Sequence, residues 1–385
     1  MPYLVTPQMP RYHQVSVDDL MFGDGDPFAE PNRGWRPVID KGATRTVFVR
    51  WAPYELSRKF DVTEAIKKLE DFTERFSNLY EANRWDLYEH WEMPKKNGGK
   101  RPIDAPKSEL MLAQRTLKTI LETDFHALHH TSAFAYVKGR CPVDAARKHQ
   151  QNNSHWFLHT DFSNFFGSTT PEFVMRMLSQ IWPFSKVCQY DAGKSALAKA
   201  LNLCFLNGGL PQGTPISPLI TNVMMVPIDY KLFNTLRDYE KNRYVYTRYA
   251  DDIHISSQYD FDYHKIVRYI DSILEEFQAP FRLKPEKTRY NSRAGKNYIL
   301  GVKLNKDNHI AIGHEKKKAF RSWIFNYLSD RKEQIPTPIQ ELYQLSGYIS
   351  YYHSIEPAWV DAILSSYGDR FGVNVKECIR EDLTA

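Results

Sequence analysis

Three aspartates carry the chemistry open to this sequence. Asp251 and Asp252 are adjacent, set between Tyr244-Val245-Tyr246-Thr247-Arg248 and Ile253-His254-Ile255-Ser256, and Asp161 closes an earlier run, Trp156-Phe157-Leu158-His159-Thr160. The flanks are rich in β-branched and aromatic residues in near alternation, which predicts a hairpin with the acidic pair at its tight connection. Neighbouring carboxylates repel, so three gathered at strand ends call for a cation. Two Mg²⁺ ions there, with Mn²⁺ as the alternative, would activate an attacking hydroxyl and stabilise the leaving oxygens of a nucleoside triphosphate. Taken singly, Asp161 reads equally well as a helix cap and the pair as an acidic turn.

A second constellation is the loop Asn207-Gly208-Gly209-Leu210-Pro211-Gln212-Gly213-Thr214-Pro215, which runs into Ile216-Ser217-Pro218 and an apolar segment. Ser217 and Pro218 suit the N-cap and first position of a helix. The glycines allow close backbone approach to a ligand, and Gln212 and Asn222 offer amide hydrogen bonds. Alone, this is also the pattern of a turn before a buried helix.

The elements that must hold these residues need a large core. At 385 residues, with 42% hydrophobic and 14% aromatic residues, the chain has enough material for two to four lobes. A net charge of +5 permits a nucleic-acid partner without demanding one. Cys141, Cys188, Cys204 and Cys378 are scattered without metal-type spacing, the pattern of reduced thiols in a cytosolic protein. No leader pattern or membrane-length apolar run is present, so neither secretion nor membrane insertion is expected.

Residues 1–60 carry Gly and Pro punctuation around strand-like pieces such as Thr46-Val47-Phe48-Val49-Arg50-Trp51 and show no chemistry. From Asp61 to about His90 the spacing of Val62, Ile66, Leu69, Phe72, Phe76 and Leu79 predicts helix, with Asp61 and Glu64 placed for a capping box. A strand-turn-strand follows over Trp91 to Pro106, then a helix through Leu110–Leu117, with His126, His129 and His130 also on a helix. After Ile312 the pattern reads as a separate helical lobe broken at Pro336, Pro338 and Pro357. There Phe320, Trp323, Ile324, Tyr327 and Leu328 form a core stripe, with Lys317, Lys318 and Arg321 largely off it.

Together these motifs resemble the reverse transcriptases, in particular the bacterial group that includes retron, group II intron and defence-associated enzymes. The resemblance spans roughly Trp91 to Gly301. It implies an α+β right-hand polymerase with an antiparallel palm sheet backed by helices, α/β fingers and a helical thumb. The corresponding division is an N-terminal extension at 1–60, fingers at 61–154, palm at 155–310 with a finger-palm insertion at about 171–240, and thumb at 311–385.

It also implies the site. Asp161, Asp251 and Asp252 become metal ligands with the backbone carbonyl of Phe162. Phe166 becomes the gate against a 2′-hydroxyl, since an aromatic ring stands where RNA-directed RNA polymerases usually place an acidic residue. Gln212 contacts the dNTP. Lys95, Lys96, Lys100 and Arg101, in a hairpin like that of the fingers, pair with its phosphates. Lys287 is the general acid towards pyrophosphate, and Lys138, Arg140, Asn222, Tyr249, Leu300 and Gly301 contact template or primer.

The implied partners are dNTPs, a DNA product and an RNA template, expected to be a structured non-coding RNA. An accessory protein or homo-oligomer is left open. The implied reaction is RNA-directed DNA synthesis from a primer 3′-hydroxyl, in an antiviral setting. The chain departs from retron enzymes in having Ala145 where their Asn-Ala-x-x-His element begins, and Ile299-Leu300-Gly301 where they carry Val-Thr-Gly. Two other readings stand beside this one. One is a template-independent or protein-primed DNA polymerase of the abortive-infection type, for which 23 tyrosines offer acceptors. The other is a non-enzymatic RNA-binding or maturase-like scaffold, which predicts a damaged catalytic set.

Overall fold

The computed structural model describes residues 60–94, 98–126, 129–237, 243–294 and 298–384, and the backbone of 35–39 and 46–50. Lys95 and Lys96, and most of the N-terminal extension, lie outside the described residues. The chain forms two compact units. One comprises the chain up to Thr131 with Asn164–Lys231 and Ile273–Arg282, and the other Ser132–Ser163, Leu232–Ser272 and Leu283 onward.

In the first unit, β1 (Trp35–Ile39) and β2 (Thr46–Arg50) pair antiparallel. Asp61 caps the helix Val62–Arg75 by accepting from the N–H groups of Thr63 and Glu64 at 2.9 and 3.1 Å. Glu64 pairs with Lys68 at 3.1 Å, one turn on. The helix stops at Arg75 rather than continuing towards His90, and a short helical turn and a 3₁₀ segment lead into the next strand. β3 (Tyr88–Pro94) and β4 (Lys100–Pro106) then form the expected hairpin, in register from Tyr88 opposite Pro106 to Pro94 opposite Lys100. The helix Ser108–Thr123 buries Leu110, Ala113, Leu117 and Leu121, each contributing about 1–3 kcal/mol in apolar transfer. His126, His129 and His130 fall after it rather than on it, and His126 adopts a left-handed φ of 46° that no helix can include.

The second unit is built on an antiparallel sheet of order β6-β7-β5-β8, where β5 is Trp156–Asp161, β6 Val245–Tyr249, β7 Asp252–Ser257 and β8 Arg289–Ser292. Side chains alternate across it. One face presents Phe157, His159 and Asp161 from β5 beside Asp252, His254 and Ser256 from β7. The helix Pro142–Gln151 is fixed to this face by His149, whose ring nitrogens lie 2.6 Å from Ser256 Oγ and 2.8 Å from Thr247 Oγ1. A small sheet follows, of β9 (Tyr298–Ile299), β10 (Val302–Leu304) and β11 (Ile310–Ala311).

Four helices, His314–Lys332, Ile339–Ile355, Pro357–Phe371 and Val375–Thr384, end the chain. They do not form a free-standing lobe. Phe320, Ile324, Leu345 and Val360 share one apolar cluster with Phe157 of the sheet, Val143 and Ala146 of the preceding helix, and Ile299 and Val302 of the small sheet. The prolines punctuate as expected, with Pro338 just before one helix and Pro357 opening the next. Lys317, read as lying largely off the core stripe, is paired with Glu356 at 2.6 Å and lies over Trp359. Among the described residues, no helix is long and apolar enough to cross a membrane.

Candidate functional site

The hairpin of β6 and β7 turns at Ala250 and Asp251. Ala250 takes a left-handed φ of 56°, a conformation most side chains avoid and one that often marks functional turns. The turn is held from beneath by Arg248, which is fully buried and donates from Nη1 to the Ala250 carbonyl at 3.1 Å. Beside β6, the Arg248 N–H donates to Ser132 O at 2.7 Å and its carbonyl accepts from Phe134 N at 2.9 Å, adding a short segment to the sheet edge. Sequence periodicity marks Arg248 only as a strand residue, so its part in the turn could not be read there.

Register decides which acids meet. Asp161 lies directly opposite Asp252 across β5 and β7, and Phe162 N donates to Asp251 O at 3.0 Å just beyond. The next turn is tied in as well, with Lys284 N donating to Asp161 O at 2.9 Å and the Lys287 ammonium bonded to the Asp161 carboxylate. Ligand atoms of Asp161, Asp252 and His159 all lie within 4.8 Å of one another. The side chain of Asp251 is not one of that close set. His159 enters because a strand of period two places it on the face of Asp161, a signal that appears only once the register with β7 is known.

The electrostatics follow from crowding. Burial, with Asp161 and Asp251 beside it and opposed by a hydrogen bond from His159, holds the Asp252 carboxyl up at about 6. Burial and the neighbouring Asp161 charge also raise Asp251. Asp161 goes the other way: burial opposes ionisation, but hydrogen bonds from Asp252 and Lys287 outweigh it and keep the carboxyl below its ordinary range. The same bond to Asp161 raises Lys287. A divalent cation would relieve the repulsion, and this donor set of carboxylates fits one.

The first unit builds a different group of predicted residues. The loop after Asn207 approaches Gly167 so closely that a Cβ on Gly209 would lie 2.1 Å from the Gly167 carbonyl oxygen. Leu210 N donates to Phe166 O at 2.9 Å, and Gln212 O accepts from Asp104 N of β4 at 2.7 Å. The loop thus joins the hairpin of β3 and β4 to the turn carrying Phe166. Of the two phenylalanines, Phe165 is packed, edge-on to Phe281 with ring centres 4.9 Å apart, and Phe166 is only half-buried.

The helix Ser217–Met224 begins one residue earlier than expected, with Ser217 and Pro218 as its first two positions. Its N-terminal contact comes from Thr214, whose hydroxyl accepts from Ser217 N at 3.2 Å and donates to Ser217 Oγ at 2.5 Å. Asn222 is buried on this helix. Lys100 pairs with Glu92 at 2.6 Å across the exposed hairpin, and Arg101 is exposed.

The remaining predicted contacts lie in the second unit. Lys138 is exposed, whereas Arg140 donates to Ala133 O at 2.7 Å, stacks over Phe134 and is pushed down by burial. Tyr249 closes β6 half-buried. Leu300 and Gly301 form the two-residue turn between β9 and β10 with φ of 52° and 83°, the signs a type I′ hairpin requires. Lys316 donates to Gly301 O at 2.5 Å.

Residues 93–328 match the family model described as reverse transcriptase (RNA-dependent DNA polymerase). The chain is 28% identical to the Retron Ec83 reverse transcriptase of Escherichia coli over 78% of its length and 94% of that protein's. It is 29% identical to the Retron Ec73 reverse transcriptase of the same species, over 72% of this chain and 86% of that one. Among solved structures it is similar to telomerase from Candida albicans in complex with a fragment of telomeric RNA. That match covers 91% of this chain and 71% of the other at 12% identity, with a TM-score of 0.43.

Proposed function

Because the chain belongs to the reverse transcriptase family, we propose that Asp161, Asp251 and Asp252 are the carboxylates at which its RNA-directed DNA synthesis takes place, with Phe162 adding its carbonyl. The observation that carries this is the placement of Asp161 opposite Asp252, with Asp251 at the adjoining turn. When bound there, two Mg²⁺ ions supply charge neutralisation of the triphosphate and a lowered pKa for the primer hydroxyl.

The chain's own residues do the rest. Lys287, an ammonium beside Asp161, gives its proton to the departing pyrophosphate. Phe166 fills the space a 2′-hydroxyl would need, and Gln212 positions the incoming nucleotide. Lys95, Lys96, Lys100 and Arg101 bind its phosphates. Lys138, Arg140, Asn222, Tyr249, Leu300 and Gly301 hold template and primer. In this reading 61–154 are fingers, 155–310 palm and 311–385 thumb, and the template is a structured non-coding RNA in an antiviral system.

Sequencing the nucleic acids that co-purify with the protein tests the reading. One discrete RNA species with its complementary DNA is expected, and the DNA should vanish in Asp251→Asn. DNA unrelated to any bound RNA would instead favour untemplated synthesis.

A further inference from the structure

We propose that His159 is a direct ligand of the cation held by Asp161 and Asp252, and that its nitrogen moves the preference of the site from Mg²⁺ towards Mn²⁺. This rests on the reading of those carboxylates as metal ligands. β5 places His159 and Asp161 two residues apart on one face, and Asp161 faces Asp252 in register, so His159 lies diagonally across from Asp252. Its Nε2 is 3.2 Å from Asp252 Oδ1, and one donor atom from each of the three residues falls within 4.8 Å of the others. Around an octahedral ion with bonds of about 2.1 Å, adjacent donors sit about 3.0 Å apart and opposite donors about 4.2 Å. The 3.2 Å between His159 and Asp252 is that of adjacent donors in one coordination sphere, with an Asp161 oxygen within 4.8 Å of both.

The ring is held for the purpose. His254, opposite His159 on β7 and 5% exposed, stacks on it with ring centres 4.5 Å apart and planes 21° from parallel. This stacking fixes the His159 plane while its side chain remains 32% exposed and Asp252 37% exposed, leaving a solvent side for further ligands. An all-oxygen set would suit Mg²⁺, which keeps its waters and demands a regular shell of oxygens. An imidazole nitrogen raises affinity for first-row ions, and Mn²⁺ also retains the carboxylate affinity that Asp161 and Asp252 require.

The test is Mn²⁺ binding by the full chain, with stoichiometry from the loss of the free-ion EPR signal and ligand identity from nitrogen modulation in pulsed EPR. Bound Mn²⁺ should show imidazole ¹⁴N coupling. His159→Gln should lose it and bind Mn²⁺ about tenfold or more weakly, with Mg²⁺ affinity from competition changing less than about threefold. His159→Asp should bind Mn²⁺ without coupling and favour Mg²⁺. Bound Mn²⁺ without ¹⁴N coupling in the native chain, or coupling that survives in His159→Gln, overturns the inference and leaves the carboxylate reading standing. Failure of the native chain to bind Mn²⁺ or Mg²⁺ at all overturns both. If His159→Gln does not fold, the native spectrum and His159→Asp decide.

Discussion

Replacing Gly209 with alanine should strike the loop proposed to bind the nucleotide without touching any residue assigned a chemical role. The new Cβ would lie 2.1 Å from the Gly167 carbonyl oxygen and 2.7 Å from its carbon. Ordinary contact begins near 3.4 Å, so one backbone segment must move by roughly 1 Å, and both are tied down: Leu210 N to Phe166 O, and Gln212 O to Asp104 N. Overpacking of this kind costs about 2–3 kcal/mol, which lowers Tm by roughly 2–4 °C in a chain of this size. Because the displaced loop carries Gln212 and abuts Phe166, a shift of about 1 Å should also cut kcat/KM for dNTP addition about 10- to 100-fold. Gly347→Ala is the control: it lies in the helix Ile339–Ile355 with open space around it and should stabilise by up to about 1 kcal/mol. Scanning calorimetry and single-nucleotide extension read both effects. A Gly209→Ala protein within 1 °C of the native Tm and with unchanged kcat/KM would refute the close approach.

Other substitutions address separate parts of the account. His149 is fully buried, and burial pushes its pKa down to about 3, so the folded chain keeps it neutral while the unfolded chain protonates it near 6.5. Its contribution is therefore complete above pH 6.5 and lost at up to about 1.4 kcal/mol per pH unit as pH falls towards 3. Urea unfolding from pH 7 to pH 5 should show a shallower loss in His149→Gln, and an identical slope would count against neutral burial. Phe166→Ala should raise ribonucleotide incorporation relative to dNTPs by about tenfold or more, measured by paired kcat/KM values; unchanged discrimination removes the gate role. Lys287→Met should lower the rate of nucleotide addition by about 10²–10⁴ in rapid quench, with dNTP KM little changed, and a normal rate would show that the proton comes from elsewhere.

What could be read in the sequence is what depends on neighbouring residues. Near alternation located β6 and β7 and put the acidic pair at their connection, where Asp251 ends the turn and Asp252 opens β7. Contacts set by cross-strand register were hidden: His159 beside Asp252 and His254 stacked behind it. His149, 107 and 98 residues from its partners Ser256 and Thr247, became a buried clamp only when the helix Pro142–Gln151 packed on the sheet. The shift of the helix start from Pro218 to Ser217 is local, but the hydroxyls of Thr214 and Ser217, three residues apart, leave the start ambiguous until the backbone is seen. The tail helices look separable because their stripes are self-contained, yet Phe157 and Ile299 complete their core.

The central claim is that the Asp161, Asp251 and Asp252 carboxylates drive templated DNA synthesis. It is tested most directly by primer extension on an RNA template with dNTPs and Mg²⁺, comparing the native chain with Asp251→Asn at matched folding by circular dichroism. The account predicts template-dictated DNA from the native chain and a loss of about 10³-fold or more in the variant. DNA synthesis by Asp251→Asn at a near-native rate would contradict it.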